Sequence, residues 1–489
     1  MNIKTILNIL SGLATILGMS IVIPLIVTWV YGDGQVNGFV KSIFLVLIFS
    51  LPIWFVTRKN RRLTNKDGFF IVAFAWLLTA FIGALPFYFT GSIPNFTDAF
   101  FESMSGVTTT GATIIGNINT LPNLPNGIES LSHGILLWRS FIQWIGGMGI
   151  IVFYIAILPL LGIGGVQMFK AEVPGPVSDK IRPRVRETAK ILWMVYLGFT
   201  AAEVFLLGIS GMPWFDAVCH SFTTMPTGGF SIKNTSIGYY DSSVIHYIVI
   251  LFMFFAGINF SLHFRAITGD IKAYFRDREF LYYLGIAIVA TLIIFISISY
   301  NSSQVSHTNF RDSLFQSVSI LTTSGFGTAD YETWTYLAQI LLFIMMFVGA
   351  MGGSTGGGMK LIRVYVILRY VVTETRRLLH ARAIIPIRIG DRYISEDVIR
   401  NTLGFFLFYI AIFCLTAVLL TTMQLDIQSA IGAAASALGN IGPALGQFGP
   451  TDNYALLPDA GKWLLAIVMM FGRLEIFTIM VIFSRTFWK

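Results

Sequence analysis

Long apolar runs recur along this 489-residue chain, separated by short polar stretches. Runs of about 20 residues, enough to cross a hydrocarbon core as a helix, fall near 6–29, 38–57, 69–91, 134–160, 189–210, 243–264, 281–300, 335–351 (continuing beyond a glycine break), 402–423 and 462–484. Ten crossings put both ends of the chain on the same side. The first run, Ile6 to Trp29, is long for a signal-peptide core and lacks a small-residue cleavage site, so it reads as a retained transmembrane helix.

Four shorter segments between these runs share a spacing in which an aspartate precedes a glycine by thirteen positions: Asp98 and Gly111, Asp216 and Gly229, Asp312 and Gly325, Asp426 and Gly439. Asp favours a helix N-cap. Each segment therefore predicts a helix of about 10 to 12 residues, roughly 15–18 Å long at 1.5 Å per residue. That is half a bilayer, so the chain must turn back at membrane depth, where irregular backbone persists only inside protein or along a wet cavity. A glycine at the turn permits backbone conformations closed to other residues. Four such turns around an axis would present a ring of carbonyl oxygens to a monovalent cation, with the negative helix ends directed at it. The competing reading, ordinary capping aspartates and packing glycines, accounts for one such pair but not for four at one topological place.

Composition narrows the class. The chain is 55% apolar and 12% charged, with a mean hydropathy of +0.73. Soluble domains carry about 25% charged residues, so this is an integral membrane protein. The net charge of +8 comes in clusters between apolar runs: Arg58 to Arg62, Lys180 to Arg186, Arg265 to Arg278, and Arg376 to Arg392. That placement marks cytoplasmic loops rather than a nucleic-acid surface, and it puts both termini in the cytoplasm. Cys219 and Cys414 read as small buried hydrophobes. No catalytic spacing, metal-ligand spacing or nucleotide motif is present, which argues against a membrane enzyme.

Two features interrupt the apolar pattern. The run Gly349-Ala-Met-Gly-Gly-Ser-Thr-Gly-Gly-Gly-Met-Lys360 breaks a helix after the third short segment. It lacks the Gly-Lys-Ser/Thr order of a phosphate loop. An unwound mobile segment is favoured over a close-packing patch, with Ser354 and Thr355 able to satisfy freed backbone groups. Arg473 lies inside the last apolar run, and Glu475 two residues on is a poor partner on a helix. It either pairs with a carboxylate on another helix or stands as a fixed charge in a pore. In the second case it opposes a cation by about 2.4 kcal/mol at roughly 7 Å and an effective dielectric of about 20. Arg139, Glu203 and His263 read as helix-end residues or internal pairs, and His220 as a packed histidine.

The segments Asp98-Ala-Phe-Phe-Glu-Ser-Met-Ser-Gly-Val-Thr-Thr-Thr-Gly111, Gly353-Ser-Thr-Gly-Gly-Gly358 and Phe471-Gly-Arg-Leu-Glu475 resemble the Trk/Ktr/HKT potassium transporters. The two extra leading helices and Ala171-Glu-Val-Pro-Gly-Pro176 are most similar to the bacterial TrkH-type potassium uptake subunit. The resemblance implies an all-α integral membrane fold with ten transmembrane helices and four re-entrant pore helices. These would be arranged as two leading helices (1–66) and four helix–pore loop–helix units around a central pore: 67–170, 171–272, 273–392 with the glycine-rich intramembrane segment, and 393–489. It implies K⁺ as the transported ion with no organic cofactor, residence in the bacterial inner membrane, a homodimer with one pore per protomer, and a cytosolic nucleotide-binding regulatory subunit of the TrkA type. The basic loops at Lys180–Arg186 and Arg376–Arg392 are the expected docking surface for that subunit.

The filter is expected at Thr109, Thr110 and Gly111; Thr227, Gly228 and Gly229; Thr323, Ser324 and Gly325; and Ala437, Leu438, Gly439 and Asn440. K⁺ would bind these residues. The gate is expected at Gly352, Gly353, Ser354, Thr355, Gly356, Gly357, Gly358 and Arg473. The fourth loop departs from the others in lacking threonines. Sodium-permeable members of the superfamily carry serine in place of the first-loop glycine, and Gly111 argues against that reading.

Overall fold

The computed structural model describes residues 1–58, 64–116, 124–157, 185–302, 305–379, 385–389 and 392–488. The Ala171–Pro176 stretch and most of the Lys180–Arg186 cluster lie outside them. Among the described residues, six helices or continuous helix pairs are long and apolar enough to cross a membrane: Ile3–Tyr31, Val36–Thr57, Lys66–Phe89, Ala189–Ile209, Arg278–Ser302 and Glu396–Thr422. Their outward faces stay apolar, as at Phe44, Val56 and Ile296, because lipid asks nothing polar of them.

The two leading spans are α1 (Ile3–Ser20) with α2 (Val22–Tyr31), and α3 (Val36–Thr57). The first unit is α4 (Asn65–Phe89), short helix α5 (Phe96–Val107) and α6 (His133–Ile157). The second is α7 (Val185–Ile209), short helix α8 (Trp214–Thr224), α9 (Ser243–Ala256) and α10 (Phe260–Ile267). A one-turn α11 (Ala273–Arg276) leads to the third: α12 (Arg278–Ser302), short helix α13 (His307–Leu321), α14 (Tyr336–Met345) and α15 (Leu361–Leu379). A two-residue hairpin, β1 (Arg388–Ile389) with β2 (Arg392–Tyr393), precedes the fourth. That unit is α16 (Glu396–Thr422), short helix α17 (Ile427–Gly439), α18 (Asp459–Arg473) and α19 (Phe477–Phe483), with α20 (Arg485–Trp488) after it.

The four short helices, of 12, 11, 15 and 13 residues, lie in the middle of the protein. All ten residues from Asp98 to Val107 are buried, and so are the alanines of α17. A helix too short to span is held here by burial on every side rather than by propensity.

The aspartates take different places from those expected. Only Asp426 caps its helix, accepting from the Ser429 amide at 2.8 Å. The caps of α5, α8 and α13 are Asn95, Pro213 and Ser306. Asp98 and Asp216 lie in the first turn, where the helix dipole still favours a carboxylate. There they bind Lys462 at 2.5 Å and the Tyr240 hydroxyl at 2.7 Å. Asp312 sits deeper in α13 and accepts from Thr328 Oγ1 at 3.2 Å.

Two runs expected to span continuously are interrupted, and a third breaks at its expected glycine run. The α9–α10 pair bends by 104° and the α18–α19 pair by 115°. Residues 346–360 between α14 and α15 are irregular. Cys219 is buried as expected, whereas Cys414 is exposed on α16.

Candidate permeation site

Each short helix ends in the same backbone motif. The residue that leaves the helix is left-handed: Thr109 at φ 54°, Thr227 at 56°, Thr323 at 60° and Asn440 at 54°. Its amide donates three residues back and the next amide five residues back. The pairs are Thr109 to Gly106 and Thr110 to Ser105, Thr227 to Thr224 and Gly228 to Thr223, Thr323 to Ile320 and Ser324 to Ser319, and Asn440 to Ala437 and Ile441 to Ser436. A β-branched residue at positive φ is an outlier held there only by its surroundings. Three threonines at this one position therefore mark a built site.

This motif sets the register of the fourth loop. Asn440-Ile441-Gly442 occupies the place of Thr109-Thr110-Gly111, while Ala437, Leu438 and Gly439 belong to the last turn of α17. The aspartate spacing misaligned the loop for a simple reason. Counting from the cap, Asn95 to Thr109, Pro213 to Thr227 and Asp426 to Asn440 are each fourteen positions (109 − 95, 227 − 213, 440 − 426). Asp426 is thus the counterpart of Asn95, not of Asp98.

The glycine two residues after each left-handed residue also has positive φ: Gly111 83°, Gly229 72°, Gly325 76° and Gly442 104°. A methyl group on Gly111 would strike the carbonyl oxygen of Gly228, one on Gly229 that of Ser324, and one on Gly325 that of Ile441. On Gly442 it would come within 2.7 Å of the Thr110 oxygen. The sequence of contacts runs from the first loop to the fourth and back to the first, closing a ring. A cavity of about 80 Å³ opens on one side and is lined by all four of these glycines.

The ring is braced from behind. Seven residues before the left-handed position stand Glu102, His220, Gln316 and, in the fourth unit, Ala433. Glu102 accepts from Thr113 Oγ1 at 2.9 Å and from the Ile114 amide at 3.0 Å. His220 pairs with Ser231 Oγ at 3.0 Å and with the Asp216 carbonyl at 2.8 Å. Gln316 donates to the Ala329 carbonyl at 3.1 Å. Each ties its helix to the segment leaving its own loop. Arg139 pairs with Glu102 at 2.8 Å and donates to the Ser231 carbonyl at 2.8 Å, joining the first two units. Gln143 donates to the Gly228 carbonyl at 2.8 Å. Asn440 Nδ2 donates to Thr110 Oγ1 and to the Met469 carbonyl, both at 2.9 Å, joining the fourth loop to the first. These braces were invisible in sequence except Arg139, read there as either a helix-end residue or an internal pair, and His220, read as a packed histidine. His263 is likewise bonded internally, to Tyr274 at 2.7 Å.

Beneath the ring, opposite the cavity, lies the glycine-rich segment. Its ends meet where the Gly349 amide donates to Met359 at 2.8 Å and the Leu361 amide to Ala350 at 3.1 Å. The Gly357 amide donates to Thr323 Oγ1 at 2.7 Å, which links the segment to a ring residue. Thr355 Oγ1 bonds the Met225 and Ala256 carbonyls at 2.9 and 3.1 Å. Gly352 donates to Glu279 at 2.7 Å, and Lys360 donates to the Gly356 carbonyl.

Arg473 is 8% exposed and pairs with no carboxylate among the described residues. It donates to the Thr355 carbonyl at 2.7 Å and to Gly146 and Gly147 at 3.3 and 3.4 Å. Glu475 instead holds Arg363 at 2.8 Å. The guanidinium thus reaches from the fourth unit to backbone of the third and the first, a charge buried on carbonyl dipoles alone. The expected ring residues of the first three loops and the glycine segment with Arg473 are brought together in one column; Gly352 and Gly353 lie at its side, against Glu279 and Asn259.

A model of the TrkH family, described as a cation transport protein, matches residues 35–489. The chain belongs to this family. It is 39% identical, over the full length of both chains, to the Trk system potassium uptake protein TrkH of Escherichia coli K12 and to that of Salmonella typhimurium. It is 32% identical to the E. coli uptake protein TrkG, covering 100% of this chain and 99% of that one. The crystal structure of the potassium transporter TrkH from Vibrio parahaemolyticus superposes with a TM-score of 0.88 at 37% identity, covering all of both chains. TrkH-family membership makes this a multi-pass membrane transport protein, with the re-entrant loops where that fold has them.

Proposed function

We propose that this protein is the pore-forming subunit of a potassium uptake system, passing K⁺ through the four-loop ring and gating it beneath. The observation that carries the proposal is the closed cycle of four loops, in which each glycine lies against the next loop's carbonyl. Carbonyl dipoles held at fixed positions replace part of the hydration shell of a cation. Two buried oxygens at the left-handed positions, Thr109 Oγ1 and Asn440 Oδ1, lack hydrogen-bond partners among the described residues. Such groups are costly in a dry core unless something else completes them. The filter comprises Thr109 to Gly111, Thr227 to Gly229, Thr323 to Gly325 and, in the shifted register, Asn440 to Gly442. Gly352 to Gly358 and Arg473 form the gate: the arginine opposes the ion electrostatically while its bond to Thr355 holds the segment across the path.

The positive-inside rule supports an orientation with both termini in the cytoplasm and the cavity on the outside of the bacterial inner membrane. The chain works as a homodimer with one pore in each protomer. A cytosolic nucleotide-binding subunit regulates it, docking on the basic loops. Reversal potentials in reconstituted liposomes test the reading: K⁺ and Rb⁺ gradients should set the potential far more strongly than Na⁺ or Li⁺. Equal K⁺ and Na⁺ permeability would overturn it.

A further inference from the structure

The cavity above the ring should be neutral or negative for a cation to enter, yet a lysine lines it along with the carboxylate of Asp452. Lys233 stands four residues beyond Gly229, where the other units carry Ile115, Ala329 and Gly446. Arg139, also on the cavity wall, is neutralised by Glu102 at 2.8 Å. Lys233 is held less tightly. Its ammonium lies 3.9 Å from Asp216 Oδ2 and 4.4 Å from the centre of the Tyr239 ring. Its backbone is fixed, since the Lys233 amide donates to Ser231 Oγ at 3.0 Å and that hydroxyl is bonded to His220. Asp216 is held in turn by the Tyr240 hydroxyl at 2.7 Å.

We propose that the Lys233–Asp216 pair sets the affinity of the vestibule for the entering cation, Lys233 lowering it and Asp216 offsetting most of that effect. This rests on the pore reading above. It concerns entry alone, because the lysine touches neither the carbonyl ring nor the gate. A unit charge on the order of 10 Å from the ion, in a medium of effective dielectric between about 40 and 80, changes occupancy about two- to fourfold. The effect fades once salt shortens the screening length below that distance.

The test is K⁺ uptake into proteoliposomes as a function of K⁺ on the cavity side. K233Q should lower half-saturating K⁺ about two- to fourfold and K233E should lower it further, while K233R keeps the wild-type value. D216N, which unmasks the lysine, should raise it. The differences should shrink when an impermeant salt raises ionic strength on that side, and the K⁺/Na⁺ permeability ratio should stay put. Half-saturation that does not follow charge through this series, or shifts that survive high salt, would overturn the inference while leaving the pore intact. A wild-type protein that passes no K⁺ would instead overturn the pore reading itself.

Discussion

The two sides of the carbonyl ring are built on opposite plans. At the ring, four segments with different residues adopt one backbone: a left-handed residue, the same pair of hydrogen bonds, then a glycine against the next loop. Beneath it the units diverge. The first keeps a continuous helix through Gly146 and Gly147, the second bends by 104°, the third unravels over 346–360, and the fourth bends by 115° at Arg473. A ligand shell for one ion needs every side of the axis, so each unit is held to the same geometry. On the proposed reading, blocking a path one ion wide needs a single obstacle, which one segment with one arginine supplies. Pseudo-symmetry is kept at the ring and lost beneath it.

The largest expected effect breaks the ring itself. Gly325→Ala adds a methyl group at φ 76° that meets the Ile441 carbonyl and approaches Pro443 Cδ at 2.9 Å. A strained residue of this kind costs about 1–3 kcal/mol before the clash is counted. K⁺ flux should fall to background in a protein that still inserts, measured by ⁸⁶Rb⁺ uptake. Gly111→Ser introduces a side chain against the Gly228 carbonyl and should weaken the K⁺/Na⁺ preference, read from bi-ionic reversal potentials.

Breaking the lower side should act in the other direction. Arg473→Ala removes the buried charge and the bond to Thr355. Flux should rise roughly tenfold or more if the barrier of about 2.4 kcal/mol is removed, with ion preference unchanged. A shift in K⁺/Na⁺ preference would show that the two sides are not separate devices. A loss of flux with misfolding would assign the arginine a structural role.

A smaller effect probes the joint between loops. Asn440→Ala deletes the bonds to Thr110 and Met469. Leaving buried partners unmade costs about 1–3 kcal/mol each, so thermal stability in detergent should drop and selectivity should loosen a few-fold. The smallest effect is the control. Gly285 lies on α12 with nothing within 4 Å of an added methyl group. Gly285→Ala should leave transport unchanged and stabilise the helix by about 0.5–1 kcal/mol.

The sequence by itself determined the class, the two leading spans, the four units and most of the residues of the ring. Lipid enforces apolar runs of fixed length, and a half-length helix between two spans has few other uses. Thr109, Thr227, Thr323 and their glycines were legible because turn chemistry is local. The fourth loop was not: aspartate served as a landmark, but it caps α17 and lies inside the other three short helices, so counting from it landed on Gly439 rather than Gly442. Only the tertiary structure decided which carbonyl each glycine faces, because those contacts join residues from roughly a hundred to over three hundred positions apart. The same holds for Glu102 with Arg139, Gln143 with Gly228, and Asn440 with Thr110. It holds most for Arg473, for which sequence left a carboxylate partner and an unpaired charge both open. The fold gives Glu475 to Arg363 and leaves the guanidinium on three backbone carbonyls. Which partner a buried charge finds depends on where the helices break and bend, and no run of residues encodes that locally.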